Sequence, residues 1–252
     1  MSNWKLINQT YLYDGTFYGF LSLVFHCYVT KTLPQKIFPK NEYSYNFLDQ
    51  TTIIETDFEK SQRVFQGIEK KIGYSTLSHT YYAFLSCEKK KELYLLYYLC
   101  DGFELGPKIN HRLSVSYVFK VMNMKKRSFG ECHRLKGLLR FQELKNHLYY
   151  ASVHPNNNIL EPLGHHFIHR FPQQNFIIHD KIRNLGFLYN GTNYQILDKL
   201  DLKIPTISEE EQKYQELWKL FFNTISIPER KNSKCQMQYM PKKYWKDLIE
   251  EP

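Results

Sequence analysis

The chain has 252 residues, with 34 Lys and Arg against 25 Asp and Glu, for a net charge of +9. That length can bury a core without disulfide or metal staples. Its 42% hydrophobic and 23% charged content excludes global disorder. The 20 Tyr, 18 Phe and 3 Trp, 16% of the chain, suit ring stacking beside phosphate-binding charge as well as ordinary core packing.

Apolar stretches at 18–29 and 93–100 are too short to span a bilayer, and the first fifteen residues lack an apolar segment of the signal-peptide type. The five cysteines, Cys27, Cys87, Cys100, Cys132 and Cys235, are odd in number and scattered, with no C-x-x-C pair. Neither a disulfide framework nor a zinc or iron–sulfur knuckle is indicated. The expectation is a cytoplasmic protein with reduced thiols and no membrane partner.

In chain order, 15–28 is an apolar helix opened by Asp14 as N-cap. A strand is expected over 51–56. A helix over 57–72 places Phe58, Phe65, Ile68 and Ile72 on one face. The helical stretch 77–99 is interrupted by the charged run 87–92. The texture changes near residue 130. Segments 137–143 and 147–153 flank a Lys145-Asn146 turn and resemble a hairpin. Asn158 and Glu161 have capping-box spacing, and Pro162 fits the first turn of a helix reaching about Phe171. Strands follow at 175–179 and 185–189, with an Asn190-Gly191 turn into 194–197. The segment 209–225 is an amphipathic helix with Tyr214, Leu217, Trp218, Phe221 and Ile225 on one side. The sum is an α+β protein with two lobes: a mainly helical 1–129, and 130–252 with a small, mostly antiparallel sheet, helices and a basic tail.

The positive charge collects in two blocks. Residues 120–147 carry eight Lys and Arg against two acids, and 229–247 carry six against two. Aromatics interleave both: Phe129 and Phe141 in the first, Tyr239, Tyr244 and Trp245 in the second. Lys and Arg displace counterions from phosphates while aromatic faces stack on exposed bases, so the mixture suits nucleic acid. A solvated basic surface with core aromatics gives the same pattern.

His165 and His169 are four apart on a helix, a spacing that lets two imidazoles share one metal ion. The segment lacks the glutamate of H-E-x-x-H, so ordinary surface or core histidines are the stronger expectation, and no metal is assigned. Glu131 and His133 precede the expected strand at 137, where an acid and a base could face a sheet edge. No G-x-S-x-G, P-loop or G-x-G-x-x-G occurs, and no cofactor is indicated.

Several blocks then occur together in order: Tyr13-Asp14-Gly15-Thr16-Phe17 with Gly19-Phe20-Leu21; Glu131, His133-Arg134 and 136–141; Ala151, Pro155, His166-Phe167, Arg170 and Asp180; Arg230-Lys231-Asn232 and 236–246. Over nearly the whole chain they resemble a bacterial family labelled as DNA-repair or DNA-metabolism proteins of otherwise unknown function. Members of that family are similar in occurring beside a radical-SAM protein of helix-hairpin-helix DNA-binding character. Some are fused to a uracil-DNA-glycosylase-like domain; here the expectation is that such an activity would come from another chain.

The resemblance implies a DNA-repair setting with DNA and a radical-SAM protein as partners, and carries over no catalytic residue. The leading expectation is a DNA-binding accessory. Its contacts would be Arg134, Lys136, Arg140, Arg170, Arg230, Tyr239, Lys242, Lys243, Tyr244 and Trp245. The alternatives are an enzyme on a flipped base using Glu131, His133, His166 and Asp180, or a non-catalytic protein-binding scaffold.

Overall fold

Strand β1 (Lys5–Tyr13) is the centre of a parallel three-stranded sheet, with β2 (Thr32–Pro39) on one side and β3 (Thr51–Ile53) on the other. The computed structural model describes residues 4–145, 147–200, 206–230 and 232–250, so Asn146 and Lys231 lie outside the described residues. The chain divides into two units, Met1–Phe129 and Gly130–Pro252.

The N-terminal half is therefore mixed, which corrects the expectation of a mainly helical lobe. The strand β2 was hidden by Pro34 and Pro39, which a sheet tolerates only where an N–H can point away from the ladder. At the sheet's edge, β2 meets that condition. Helix α1 (Phe17–Thr30) connects β1 to β2. Its cap is Thr16, whose hydroxyl accepts from the Gly19 amide at 2.9 Å. Asp14 instead supports that cap. Its Oδ1 accepts from the Thr16 amide and hydroxyl at 2.9 and 2.8 Å, and its Oδ2 accepts from Thr56 at 2.6 Å. A Cβ at position 19 would stand 2.0 Å from Asp14 Oδ1, which explains the glycine.

Helix α2 (Phe58–Gly67) begins at the Asp57 cap and runs into a π-helical turn at Ile68–Ile72. Its buried stripe is Ser61, Val64, Ile68 and Ile72, whereas Phe58 is exposed. Helices α3 (Tyr74–Phe84) and α4 (Lys91–Leu105) follow the expected break. Tyr13, Phe20 and Phe84 meet in the core, and the Tyr13 hydroxyl donates to the buried Glu92 at 3.0 Å.

Helix α5 spans Ser116–Leu138 and corrects the strand expected at 137–143, of which only β4 (Gln142–Glu143) forms. Met124, Ser128, Glu131, Cys132, Leu135 and Leu139 are buried at spacings of three and four, the helical period, through the whole segment. Glu131 and His133 thus stand on a helix rather than at a strand entry.

In the second unit β4, β5 (Tyr149–Val153), β6 (Asn175–Asp180), β7 (Leu185–Asn190) and β8 (Tyr194–Asp198) form one sheet in that order. It is antiparallel apart from β5–β6, which α6 (Leu160–Arg170) connects. No side chain caps α6, so the Asn158–Glu161 capping box does not form. Gly164 is where α6 meets β7: a Cβ there would stand 2.4 Å from the Phe187 ring. The β7–β8 turn uses Gly191 at φ +82°, with Asn190 Oδ1 accepting from the Thr192 and Asn193 amides.

Helix α7 (Glu209–Ile225) starts at the Ser208 cap, with three glutamates in its first turn, a favourable charge for a helix N-terminus. Helix α8 (Ser233–Tyr239) and a 3₁₀ segment, Lys242–Asp247, follow. The apolar side of α7 faces outward. Tyr214, Leu217, Trp218, Phe221 and Ile225 are all exposed, while Glu211 bonds the Glu143 amide and Gln215, Lys219 and Asn223 line a cleft.

Candidate functional site

The acids singled out in sequence converge on one loop. Glu131 projects from α5 and is 2% exposed. Its Oε1 accepts from the Asn156 amide (2.9 Å), Lys243 Nζ (2.7 Å) and the Tyr244 hydroxyl (2.7 Å). Its Oε2 accepts from the amide and side chain of Asn157, at 2.9 and 2.6 Å. Burial alone would raise this carboxyl's pKa. The ammonium of Lys243, the two amides and the tyrosine hydroxyl outweigh it and hold the pKa at about 2.

Asp180, fully buried at the end of β6, accepts from the Ile182 and Arg183 amides and from Arg183 Nη1 at 2.8 Å. Arg183 reaches on to the carbonyls of Pro155 and Asn156. Glu131 therefore holds the N–H groups of the 155–157 loop while Asp180, through Arg183, holds its carbonyls. Together they satisfy buried backbone that a loop otherwise leaves unpaired.

Beside this loop the chain builds a polar cleft of about 540 Å³, lined among others by Arg140, Tyr150, Ser152, Lys219, Lys246 and Asp247. Arg140 forks onto Glu250, at 2.6 Å from Nη2 and 3.3 Å from Nε, and the Trp218 indole N–H donates to the same carboxylate. Asp247 accepts from Ser152 Oγ at 2.9 Å and meets His154 Nδ1 at 2.9 Å. A carboxylate on Nδ1 fixes the imidazole tautomer and leaves Nε2 to take or give a proton. His179 sits between Tyr150 (2.9 Å) and Asn184 (3.0 Å), and burial lowers its pKa. The His154–Asp247 pair escaped the sequence reading because 93 residues separate its members and neither stands in a motif.

A second cluster forms at the end of α6. Half-buried His166 has its pKa lowered first by burial and then by Lys136, Arg170 and His169. Arg170 stands with its guanidinium 5.5 Å from the Phe171 ring. No acid lies within ion-pair distance of Lys136 or Arg170 among the described residues.

Arg134 is exposed on α5 but reaches the hydroxyl of Tyr244. The remaining expected contacts are dispersed: His133 is exposed on α5, and Arg230 and Tyr239 are exposed in the tail. Lys242 lies 5.6 Å over the half-buried Trp245 ring, whose N–H donates to the Met240 carbonyl. Tyr244 is 1% exposed, so its ring has no open face. Lys243 is paired to Glu131. Thus Glu131, Lys243 and Tyr244 come together, as do Lys136, His166 and Arg170. The cleft is not lined by Glu131, His133, His166 or Asp180. Among the described residues, no three His, Cys, Asp or Glu side chains gather as a metal-binding group, and no helix is long and apolar enough to cross a membrane.

No curated protein and no solved structure matches the chain. A domain of unknown function, DUF4130, matches residues 89–250, nearly two thirds of the sequence. That stretch takes in α5 with Glu131, the 155–157 loop, the cleft and the α6 cluster, and on this match the chain belongs to the DUF4130 family.

Proposed function

We propose that this protein is a DNA-binding accessory that acts with a partner protein in DNA metabolism, the radical-SAM partner resting on the sequence resemblance alone. The observation that carries the DNA reading is the gathering of Lys136, His169 and Arg170 around His166, with no acid among the described residues paired to Lys136 or Arg170. Like charges held together repel, by a few tenths of a kcal/mol per pair on a helix surface, and a phosphate backbone relieves that repulsion. The outward apolar side of α7 supports a protein partner, because an exposed apolar patch on a helix is the usual mark of a docking surface.

The test is binding of labelled single- and double-stranded DNA across a salt series. Lys136→Ala with Arg170→Ala is expected to weaken both and to flatten the slope of log affinity against log salt by about 1 per lost cation. Absence of binding at low salt overturns the reading.

A second reading, an enzyme acting on a flipped or damaged base, is favoured by the His154–Asp247 pair at the cleft. Its acid and base would then be His154 and Asp247. Turnover of a lesion-bearing oligonucleotide that His154→Ala abolishes, with binding retained, would establish it.

A further inference from the structure

A second, smaller cavity, of about 190 Å³, lies in the C-terminal unit between the end of α6 and the start of the sheet. Five side chains line it: Phe141, Tyr149, Phe171, Gln174 and Phe176. Its volume is that of roughly six waters at liquid density, which is room for one planar ring system. Phe141 stands edge-on to Phe171 at 5.9 Å and 89°, and to Phe176 at 5.4 Å and 63°. Phe176 is buried and forms the floor, whereas Phe141, Tyr149 and Phe171 are half-buried. Rings that met only a need for core packing would close on each other; these leave a slot.

The polar groups around the slot are selective. Gln174 is exposed and brings a carboxamide, a donor and an acceptor in one plane, which matches the edge of a nucleobase. Exposed Arg170 stands with its guanidinium 5.5 Å over the Phe171 ring, and no acid among the described residues is paired to it. At the other side Glu143 and Glu211 lie close enough to Tyr149 to raise its pKa, after burial, and would repel phosphate. A nucleotide ring in the slot therefore has one favourable exit for its backbone, past Arg170.

We infer that this cavity takes a single unstacked nucleobase, stacked against Phe171 and Tyr149, read at its edge by Gln174, with its phosphate directed to Arg170. The inference deepens the DNA reading above by naming what the α6 cluster holds, an unpaired base rather than duplex. Phe141 is an aromatic of the first basic block, whereas Phe171 and Gln174 belong to neither block, and no sequence pattern joins the two to Phe141.

The test separates the two ideas. Free adenosine, cytidine, guanosine and thymidine, with phenylalaninamide as the competing flat ligand, are titrated into the full chain by saturation-transfer NMR. Single-stranded and duplex oligonucleotides are titrated in parallel by fluorescence anisotropy. Nucleoside binding is expected, indifferent to added salt, and weakened about tenfold by Phe171→Ala, in line with the loss of one base–aromatic stack. Gln174→Ala changes an exposed residue with no core role, so it tests the slot even if Phe171→Ala fails to fold. It is expected to reduce binding and to narrow the differences among the four nucleosides. Single strands are expected to bind more tightly than duplex. No nucleoside binding, binding unchanged in both variants, or preference for phenylalaninamide overturns the slot. If oligonucleotides bind while nucleosides do not, the slot fails and the DNA reading stands; nucleoside binding without oligonucleotide binding supports the slot and overturns the DNA reading.

Discussion

Each unit buries one glutamate against a tyrosine hydroxyl, and the two behave in opposite ways. In the N-terminal unit, Glu92 is 4% exposed and accepts from the Tyr13 hydroxyl at 3.0 Å and from its own backbone amide, with no ammonium bonded to it. Burial outweighs the help of Lys91, that amide and Tyr13, and its pKa is raised. In the C-terminal unit, Glu131 is 2% exposed and accepts five, one of them from an ammonium, and its pKa falls to about 2. Burial is nearly equal, so the number and charge of the donors decide which protonation state each site favours. The first is a buried acid that tolerates its proton. The second is a fixed anion that organises a loop.

The largest effect expected to sharpen this comparison comes from the same isosteric change at both positions. Glu131→Gln places an amide among five donors and leaves the partly exposed Lys243 ammonium facing a neutral group. It is expected to cost about 1.5–3 kcal/mol, read as a lower urea midpoint for the C-terminal unit. A loss under about 1 kcal/mol would break the comparison.

Acid should show the same asymmetry. The folded pKa of Glu131 lies below its ordinary 4.5, so its contribution is present above that value and is lost as pH falls from about 4.5 toward 2. Glu92 has a raised folded pKa, so its contribution is complete below 4.5 and fades as pH rises through that raised value. Hydrogen exchange resolved by unit, run across acidic pH, should show the 155–157 loop loosening first while α4 holds.

Next in size is a glycine contrast. Gly164→Ala drives a methyl into the Phe187 ring and is expected to cost about 1–3 kcal/mol in thermal or urea unfolding. Gly130→Ala on α5 meets nothing within 4 Å and is expected to gain about 0.5–1 kcal/mol, as a helix interior ordinarily does.

Glu92→Gln should be near neutral, within about 1 kcal/mol, and should remove the fading of stability with rising pH in the N-terminal unit. A loss as large as that of Glu131→Gln would mean that donor count is not what separates the two sites.

The smallest stability effect belongs to α7. Phe221→Asn alters an exposed side chain and should shift the urea midpoint by no more than about 0.5 kcal/mol. If a partner of the kind proposed docks on the α7 face, its pull-down fails with the same variant; retained pull-down means that the partner docks elsewhere.

Much of the fold was legible, and the failures have causes. The strands β6, β7 and β8 and the helix α7 stand where alternation, the Asn190-Gly191 turn and the 3.6-residue period put them. The strand β2 was lost to its two prolines. The strand β1 was lost because it is buried only at its C-terminal end, where Thr10 to Tyr13 form a continuous buried run rather than an alternation. The end of α5 was misread because Gly137-Leu138-Leu139 is locally ambiguous, and only the longer spacing from Met124 to Leu139 shows a helix. In the candidate site, Glu131, Asp180, Lys243 and Tyr244 stood out in sequence. What they share, one loop braced from two sides, did not.

By itself the sequence determined the α+β class, the sites of positive charge and the amphipathic character of α7. These follow from local period, turn chemistry and composition, which act over a few residues. Only the tertiary structure decided that the apolar side of α7 faces outward, that His154 meets Asp247, and that Phe141 and Phe171 leave a slot above Phe176. Those outcomes depend on which distant segments share the finite volume of one unit, and on which donors reach a buried acid first. A pattern read along the chain contains neither.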